Sequence, residues 1–406
     1  LPLWALIACV PAAPALPTIA VNRPSSSWDA VQSKGKAAFE VSEYGKAERL
    51  LKEAVIEARG FGAEDLRLAK SAGLLGRLLT VRGRFAEAEG FLEEEMRVKE
   101  LALPNDRGQL IPDMGSLVRF YLTCGTASKA DELTEYILGF VQGKLEQAHA
   151  QAQGSLKLKK GQPLEGWAGT AAPVMRDPII EWAITLDDIG NLYSARGNFD
   201  QAEKLFKAAL DVKTTVLGKE HLSLANSYDS LGSICMSREH YEDAESYFRD
   251  SLMITEKIQP PDNPQVYGRL DKLARCLIKE GKYEEAEALY LRAQGFWKGA
   301  ATKSANEARA AYALGSLYTE EKKYSLAVPV LEQALQMSEH FNGSCSVSLV
   351  PYLEKYAYAL YYTGRRGEVD ALKARAKNIA AVVPELAPTS KMQAGVWPES
   401  KDKSNE

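Results

Sequence analysis

The stretch GKYEEAEALYLRA occupies Gly281–Ala293, and EHYEDAESYFRDS, of nearly the same pattern, begins 42 residues earlier at Glu239 and ends at Ser251. Aligning on the aromatic residue of this phrase finds six copies, anchored at Tyr44, Phe85, Phe199, Tyr241, Tyr283 and Tyr324. Two degenerate copies share the register, with Ala127 and Arg366 at the anchor. Successive anchors lie 41, 42, 72, 42, 42, 41 and 42 residues apart, so only one interval is irregular. Such a period marks a repeat architecture, in which one unit cannot bury its own apolar face and identical neighbours can.

Each part of the phrase has a physical reason. Three residues after the anchor stands Ala47, Ala88, Ala130, Ala202, Ala244, Ala286 or Ala327, with Val369 in the last copy. Nine before it stands Gly35, Gly76, Gly190, Gly232, Ala274, Gly315 or Ala357, and Val118 in the third copy. Apolar residues recur at i, i+3, i+4 and i+7 on both sides of a short polar turn, such as SREH at Ser237–His240, which is the pattern of two amphipathic helices. The small residues let the two backbones approach, so a change such as Gly232→Leu is expected to overpack the contact. An acidic residue follows that position in seven copies: Glu48, Glu89, Asp131, Glu203, Glu245, Glu287 and Asp370.

A helix pair with Gly-x-Tyr-x-x-Ala-Glu at its turn resembles the tetratricopeptide repeat. The 42-residue period, against the usual 34, resembles the kinesin light chain type, as does Leu217–Lys257 with Leu217, Gly218 and His221 at its link. The resemblance covers roughly residues 28–383 and implies an all-α fold, an α-solenoid superhelix of about eight antiparallel helix pairs. The long N-terminal heptad coiled coil of true kinesin light chains is missing, and no motor subunit is inferred. The expected organisation is a truncated signal-like leader and linker at 1–27, pairs one to three at 28–142, an insertion at 143–178, pairs four to eight with a polar cap at 179–383, and a disordered tail at 384–406. The first part of the insertion, Gly143–Gln153, reads as a prolonged helix; the Gly- and Pro-rich remainder reads as a loop.

The leader Leu1–Pro17 is apolar with four prolines, too short and broken to span a membrane. It resembles the end of a secretory signal, with small residues at Ala13 and Ala15. Leu6-Ile7-Ala8-Cys9 resembles a bacterial lipobox, which would acylate Cys9. The expected location is therefore exported (periplasmic, lipid-anchored or secreted), with cytoplasmic as the alternative. Membrane attachment is expected only through such a lipid.

The chain has 406 residues, 46% hydrophobic and 26% charged, with a net charge of −4. That balance disfavours a phosphate backbone, so no nucleic acid is expected. The five cysteines form no CxxC and no metal spacing with histidine; neither a disulfide framework nor a metal site is expected. Cys124, Cys235 and Cys276 fall in helical stretches and read as small buried hydrophobes. His149, His221, His240 and His340 read as caps or surface residues. No Walker loop, G-x-S-x-G, HExxH or EF-hand loop occurs. Asp187-Asp188 is no carboxylate dyad, because helix neighbours point apart. Neither an enzyme, a cofactor nor a small-molecule substrate is expected.

What remains is a surface for a protein or peptide partner. The resemblance implies that the first helix of each pair lines the concave side at set distances before the anchor. Those distances select Lys70, Arg77, Arg119, Asp187, Asp188, Asn191, Asn226, Asp229, Ser230, Ser233, Asp271, Lys272, Arg275, Arg309, Tyr312, Glu354, Lys355 and Tyr358. The run reads basic, acidic, then basic again. Asn191 and Asn226 suit an extended peptide, because an amide both donates and accepts. Tyr356, Tyr358, Tyr361 and Tyr362 offer aromatic contact, or are core at helical spacing. Tetratricopeptide domains that clamp a C-terminal carboxylate place Lys where Asp187 and Gly268 stand here; an EEVD-type clamp is therefore not expected. The leading expectation is an adaptor whose concave face holds an extended segment or helix. The alternative is a scaffold acting through its insertion or outer faces.

Overall fold

The computed structural model describes residues 25–104, 107–155, 178–297 and 305–381. The first part of the leader with Cys9, the Gly- and Pro-rich part of the insertion and the tail lie outside these residues. Among the described residues there are sixteen α-helices and two short 3-10 turns. The helices are α1 (Ser25–Glu40), α2 (Tyr44–Arg59), α3 (Leu66–Val81), α4 (Phe85–Ala102), α5 (Ile111–Cys124), α6 (Ala127–Ser155), α7 (Pro178–Ala195) and α8 (Phe199–Leu217). They continue as α9 (Leu222–Ser237), α10 (Tyr241–Ile258), α11 (Pro264–Lys279), α12 (Tyr283–Trp297), α13 (Ala305–Glu320), α14 (Tyr324–Asn342), α15 (Val350–Tyr362) and α16 (Arg366–Ala381). The fold is all-α, built of consecutive antiparallel helix hairpins of the tetratricopeptide type, about eight pairs. Two compact units divide it, Leu1–Ile234 and Cys235–Glu406. The division falls within α9 and not at the 143–178 insertion.

All eight anchors are the first residue of the second helix of a pair. The turn before them is the same each time. The residue two before the anchor has positive φ in all eight copies: Gly83, Gly125, Gly197, Gly281 and Gly364, and also Ser42, Glu239 and Lys322. The next N–H closes a bond to the carbonyl five residues back, as His240 to Cys235 at 2.9 Å and Lys282 to Leu277 at 2.8 Å. This is the Schellman closure, which satisfies carbonyls left open at a helix end.

The repeated small residues do the expected work. A Cβ added at Gly35, Gly76, Gly190 or Gly315 would stand 2.9, 2.7, 2.8 or 2.6 Å from Leu51, Leu92, Phe206 or Leu331. In each case that neighbour lies sixteen residues on, across the turn. The alanine three after each anchor is wholly buried in seven copies. The aromatic anchor itself is not core: Tyr44 and Phe85 are over a third exposed, Tyr44 edge-on to Phe39 and Phe85 tilted against Phe120.

The first unit keeps stacking past the insertion. Helix α6 runs on to Ser155, while α7 of pair four packs on α5 of pair three. The Trp182 indole donates to the Gly108 carbonyl at 2.8 Å and meets Phe140 edge-on at 5.5 Å. A Cβ at Gly115 would meet Thr185 at 2.4 Å, which shows how close the two helices come. Helix α1 starts at Ser25, inside the serine run read as linker. His340 lies in the last turn of α14 rather than after it. Cys235 and Cys276 are buried, Cys124 is half-buried and Cys345 is exposed. No described helix is long and apolar enough to cross a membrane.

Candidate partner-binding surface

The selected first-helix residues fall into two groups, one per unit. In the first unit, Lys70 is exposed beside the Trp28 ring, 5.6 Å from its centroid. Arg77 and Arg119 are exposed and bridge to Glu95 at 3.4 Å and Asp188 at 3.6 Å. Asn191 and Asn226 are exposed, and Ser230 is half-buried. Asp229 departs from expectation: it is 9% exposed and already engaged. Its place on α9 leaves little of the residue open to a partner.

The acidic middle of the run is also changed. Asp187 turns inward, where it pairs with Lys213, a lysine 3% exposed on the second helix α8. The Lys213 ammonium also donates to Ser227 Oγ at 2.7 Å and the Ser223 carbonyl at 3.3 Å. Burial pushes the Asp187 carboxyl above the usual range, against the pull of Lys213 and the Ser227 hydroxyl. The two neighbouring aspartates do part company: Asp188 faces out to Arg119 and Asp187 faces in. An unpaired acid at Asp187 is therefore not what opposes a carboxylate clamp. The position is filled by a closed ion pair.

In the second unit, three successive first helices contribute. Asp271 on α11 is half-buried and accepts from the Tyr290 hydroxyl at 3.2 Å. Burial raises its carboxyl, while Arg275, Arg309 and Lys272 oppose that rise. Arg275 is exposed and Lys272 half-buried. Arg309 on α13 lies over the Tyr267 ring, 5.4 Å from its centroid. Tyr312 on α13 and Tyr352 on α15 face each other with centroids 4.5 Å apart. Sequence selection found Arg275, Arg309 and Tyr312 but missed Tyr352, which lies outside the counted positions; Tyr267, beneath Arg309, is core at 3% exposed. Tyr356 is core, whereas Tyr358 and Tyr362 pack around Tyr324, the latter stacked at 4.6 Å. Glu354 is exposed and Lys355 half-buried on the same helix.

The acidic residue of the repeat phrase has a structural partner that periodicity alone did not reveal. Glu48 accepts from Arg82 and Arg84, Glu89 from Lys129 at 2.6 Å, and Asp131 from the Tyr193 hydroxyl at 2.6 Å. Glu245 accepts from Lys282 and Glu287 from the Tyr318 hydroxyl, both at 2.7 Å. In these five copies the acid ties its pair to the next. No cluster of three or more metal-ligating side chains occurs among the described residues.

Consecutive hairpins closed by one recurring turn and stacked through one recurring small-residue contact define a helical-repeat protein. Residues 182–257 and 267–340 match the family model described as tetratricopeptide repeat, and over these residues the chain is a tetratricopeptide-repeat protein. No curated protein matches the sequence. Similar solved structures include BtubC (BKLC) from P. vanneervenii, 19% identical with TM-score 0.46, covering 63% of this chain and 94% of that one. A putative kinesin light chain from Podosopora anserina with nearly identical TPR-like repeats is 19% identical with TM-score 0.44, covering 50% and 96%. YrrB, a TPR protein with an unusual peptide-binding site, is 16% identical with TM-score 0.33, covering 49% and 87%.

Proposed function

We propose that this chain is a non-enzymatic adaptor whose first-helix surface binds a segment of a partner protein, as an extended peptide or a helix. Tetratricopeptide repeats are scaffold-type folds that generally serve protein–protein interaction, and repeat arrays present broad surfaces for that purpose. The observation that carries the reading is the second-unit surface of α11, α13 and α15. There Arg275 and Arg309 stand exposed, Arg309 lies over the buried Tyr267 ring, and the half-buried rings of Tyr312 and Tyr352 pair on the neighbouring helices. Arginine and tyrosine are the residues most enriched where interfaces concentrate their energy.

The test is an affinity pull-down from native extract with two equally folded baits. One is the chain from Trp28; the other carries Asn191→Ala, Asn226→Ala, Arg275→Glu and Arg309→Glu. A protein held by the first and lost by the second supports the reading. Retention by both moves the function to other faces. On the leader's composition we also propose export, with acylation of Cys9. Palmitate label present in the parent and lost in Cys9→Ala supports that proposal, and an unlabelled parent removes it.

A further inference from the structure

On the opposite kind of surface, formed by second helices, the second unit holds an open groove of about 480 Å³. It runs between α10 and α12, with Leu273 of α11 beneath. Its apolar lining includes Leu252, Leu289 and Met253, the last 50% exposed.

The charges around the groove are unequal. Arg249 is paired with Glu245 at 2.6 Å and Glu285 at 2.9 Å. Arg292 is paired with Glu256 at 2.7 Å, and Lys257 is not free. Asp250 lines the same groove, half-buried, and among the described residues it makes no hydrogen bond or ion pair. Burial alone pushes its carboxyl above the usual range, with no cation to offset it. A partly desolvated carboxylate without a counterion is costly, and a cation brought to it recovers a charge-assisted bond.

We infer that this groove docks a segment of another polypeptide that presents one lysine or arginine beside one bulky apolar side chain. The cation meets Asp250, and the apolar group covers Met253 and Leu289. The inference is independent of the first-helix surface, which shares no residue with it.

The test uses the full chain and a library of random seven-residue peptides displayed on phage. Retained peptides are synthesised, and their affinities are measured by fluorescence anisotropy against four proteins: the parent, Asp250→Asn, Met253→Glu and Arg275→Glu. The expected peptides carry Lys or Arg next to Leu, Met or Phe. They bind Asp250→Asn about tenfold or more weakly, as loss of a charged hydrogen bond requires. They fail on Met253→Glu and bind Arg275→Glu as they bind the parent. Asp250→Asn breaks no existing bond, so its melting curve should match the parent's and loss of fold is excluded. Three results would overturn the inference: no peptide whose binding depends on Asp250 or Met253, dependent peptides without a cation, or sedimentation of the chain alone as a dimer that Met253→Glu dissolves. The last would make the occupant a second copy.

Discussion

Two glycine-to-alanine changes in the same unit should shift stability in opposite directions. Gly268 and Gly315 both lie in first helices, α11 and α13. Alanine is about 1 kcal/mol better than glycine in a helix interior, and that gain is common to both sites. At Gly268 an added Cβ meets nothing within 4 Å, so Gly268→Ala should stabilise by about 0.4–1 kcal/mol. At Gly315 the Cβ would stand 2.6 Å from Leu331 Cγ, 2.7 Å from its Cδ2 and 3.4 Å from its backbone nitrogen. Leu331 is wholly buried in the core of its unit. Overpacking of this kind costs about 1–3 kcal/mol, which matches or exceeds the propensity gain. Gly315→Ala should therefore be destabilised by up to about 2 kcal/mol. Urea unfolding followed by far-UV circular dichroism measures both, and shared membership of one unit places both in the same transition. The difference between the two variants isolates the contact, because the helix-propensity term cancels. Equal stability of Gly315→Ala and Gly268→Ala would refute the claim that the repeat glycine exists for close helix packing.

The turn position makes a second test: Glu239→Gly and Lys322→Gly, which replace side chains at φ 63° and 62°, should each raise stability by about 1 kcal/mol, whereas Gly281→Ala should lower it, by thermal melting. Cysteine reactivity follows burial. Cys345 should be alkylated in the native chain, while Cys276, whose thiol burial and Glu280 push up to about 12, should react only in denaturant; equal rates by mass spectrometry would contradict its packing. Asp65 caps α3 by accepting from the Arg67 N–H at 2.9 Å. The Arg67 side-chain hydrogen bond holds its carboxyl below the usual range against burial, helped by that N–H. A depressed carboxyl contributes stability that is complete above its unfolded pKa, about 4, and is lost as pH falls through the lower folded value. Asp65→Ala should thus cost about 1 kcal/mol at neutral pH, with the gap to the parent closing in strong acid. A gap that persists unchanged there would assign the loss to something other than the charged cap. The tie between pairs is tested by Tyr193→Phe, which leaves Asp131 without its hydroxyl donor and should cost about 1–3 kcal/mol by urea unfolding.

Much of the fold was legible because each repeat solves the same local problem. Gly76 and Leu92, or Gly315 and Leu331, stand sixteen residues apart in one hairpin, so periodicity alone predicts that they meet. The candidate surface was less legible. Counting back from an anchor places a residue on a helix face, but it does not say whether a neighbour already occupies its charge. Asp229 was selected and is buried; Tyr352 was passed over and pairs with the selected Tyr312.

By itself the sequence determined the period, the eight anchors, the small-residue contact and the all-α class. These follow from local chain geometry, in which 3.6 residues per turn and one tight reversal fix what lies opposite what. Tertiary structure alone decided that Lys213 closes on Asp187, that Asp131 holds Tyr193 of the next pair, and that Trp182 seats on the Gly108 carbonyl. Those partners come from different helices, 26 to 74 residues apart. The Tyr193 and Trp182 contacts depend on how one hairpin is set upon another, which no periodicity within a hairpin encodes, while Lys213 and Asp187 meet across the turn of pair four through side chains that the repeat does not share.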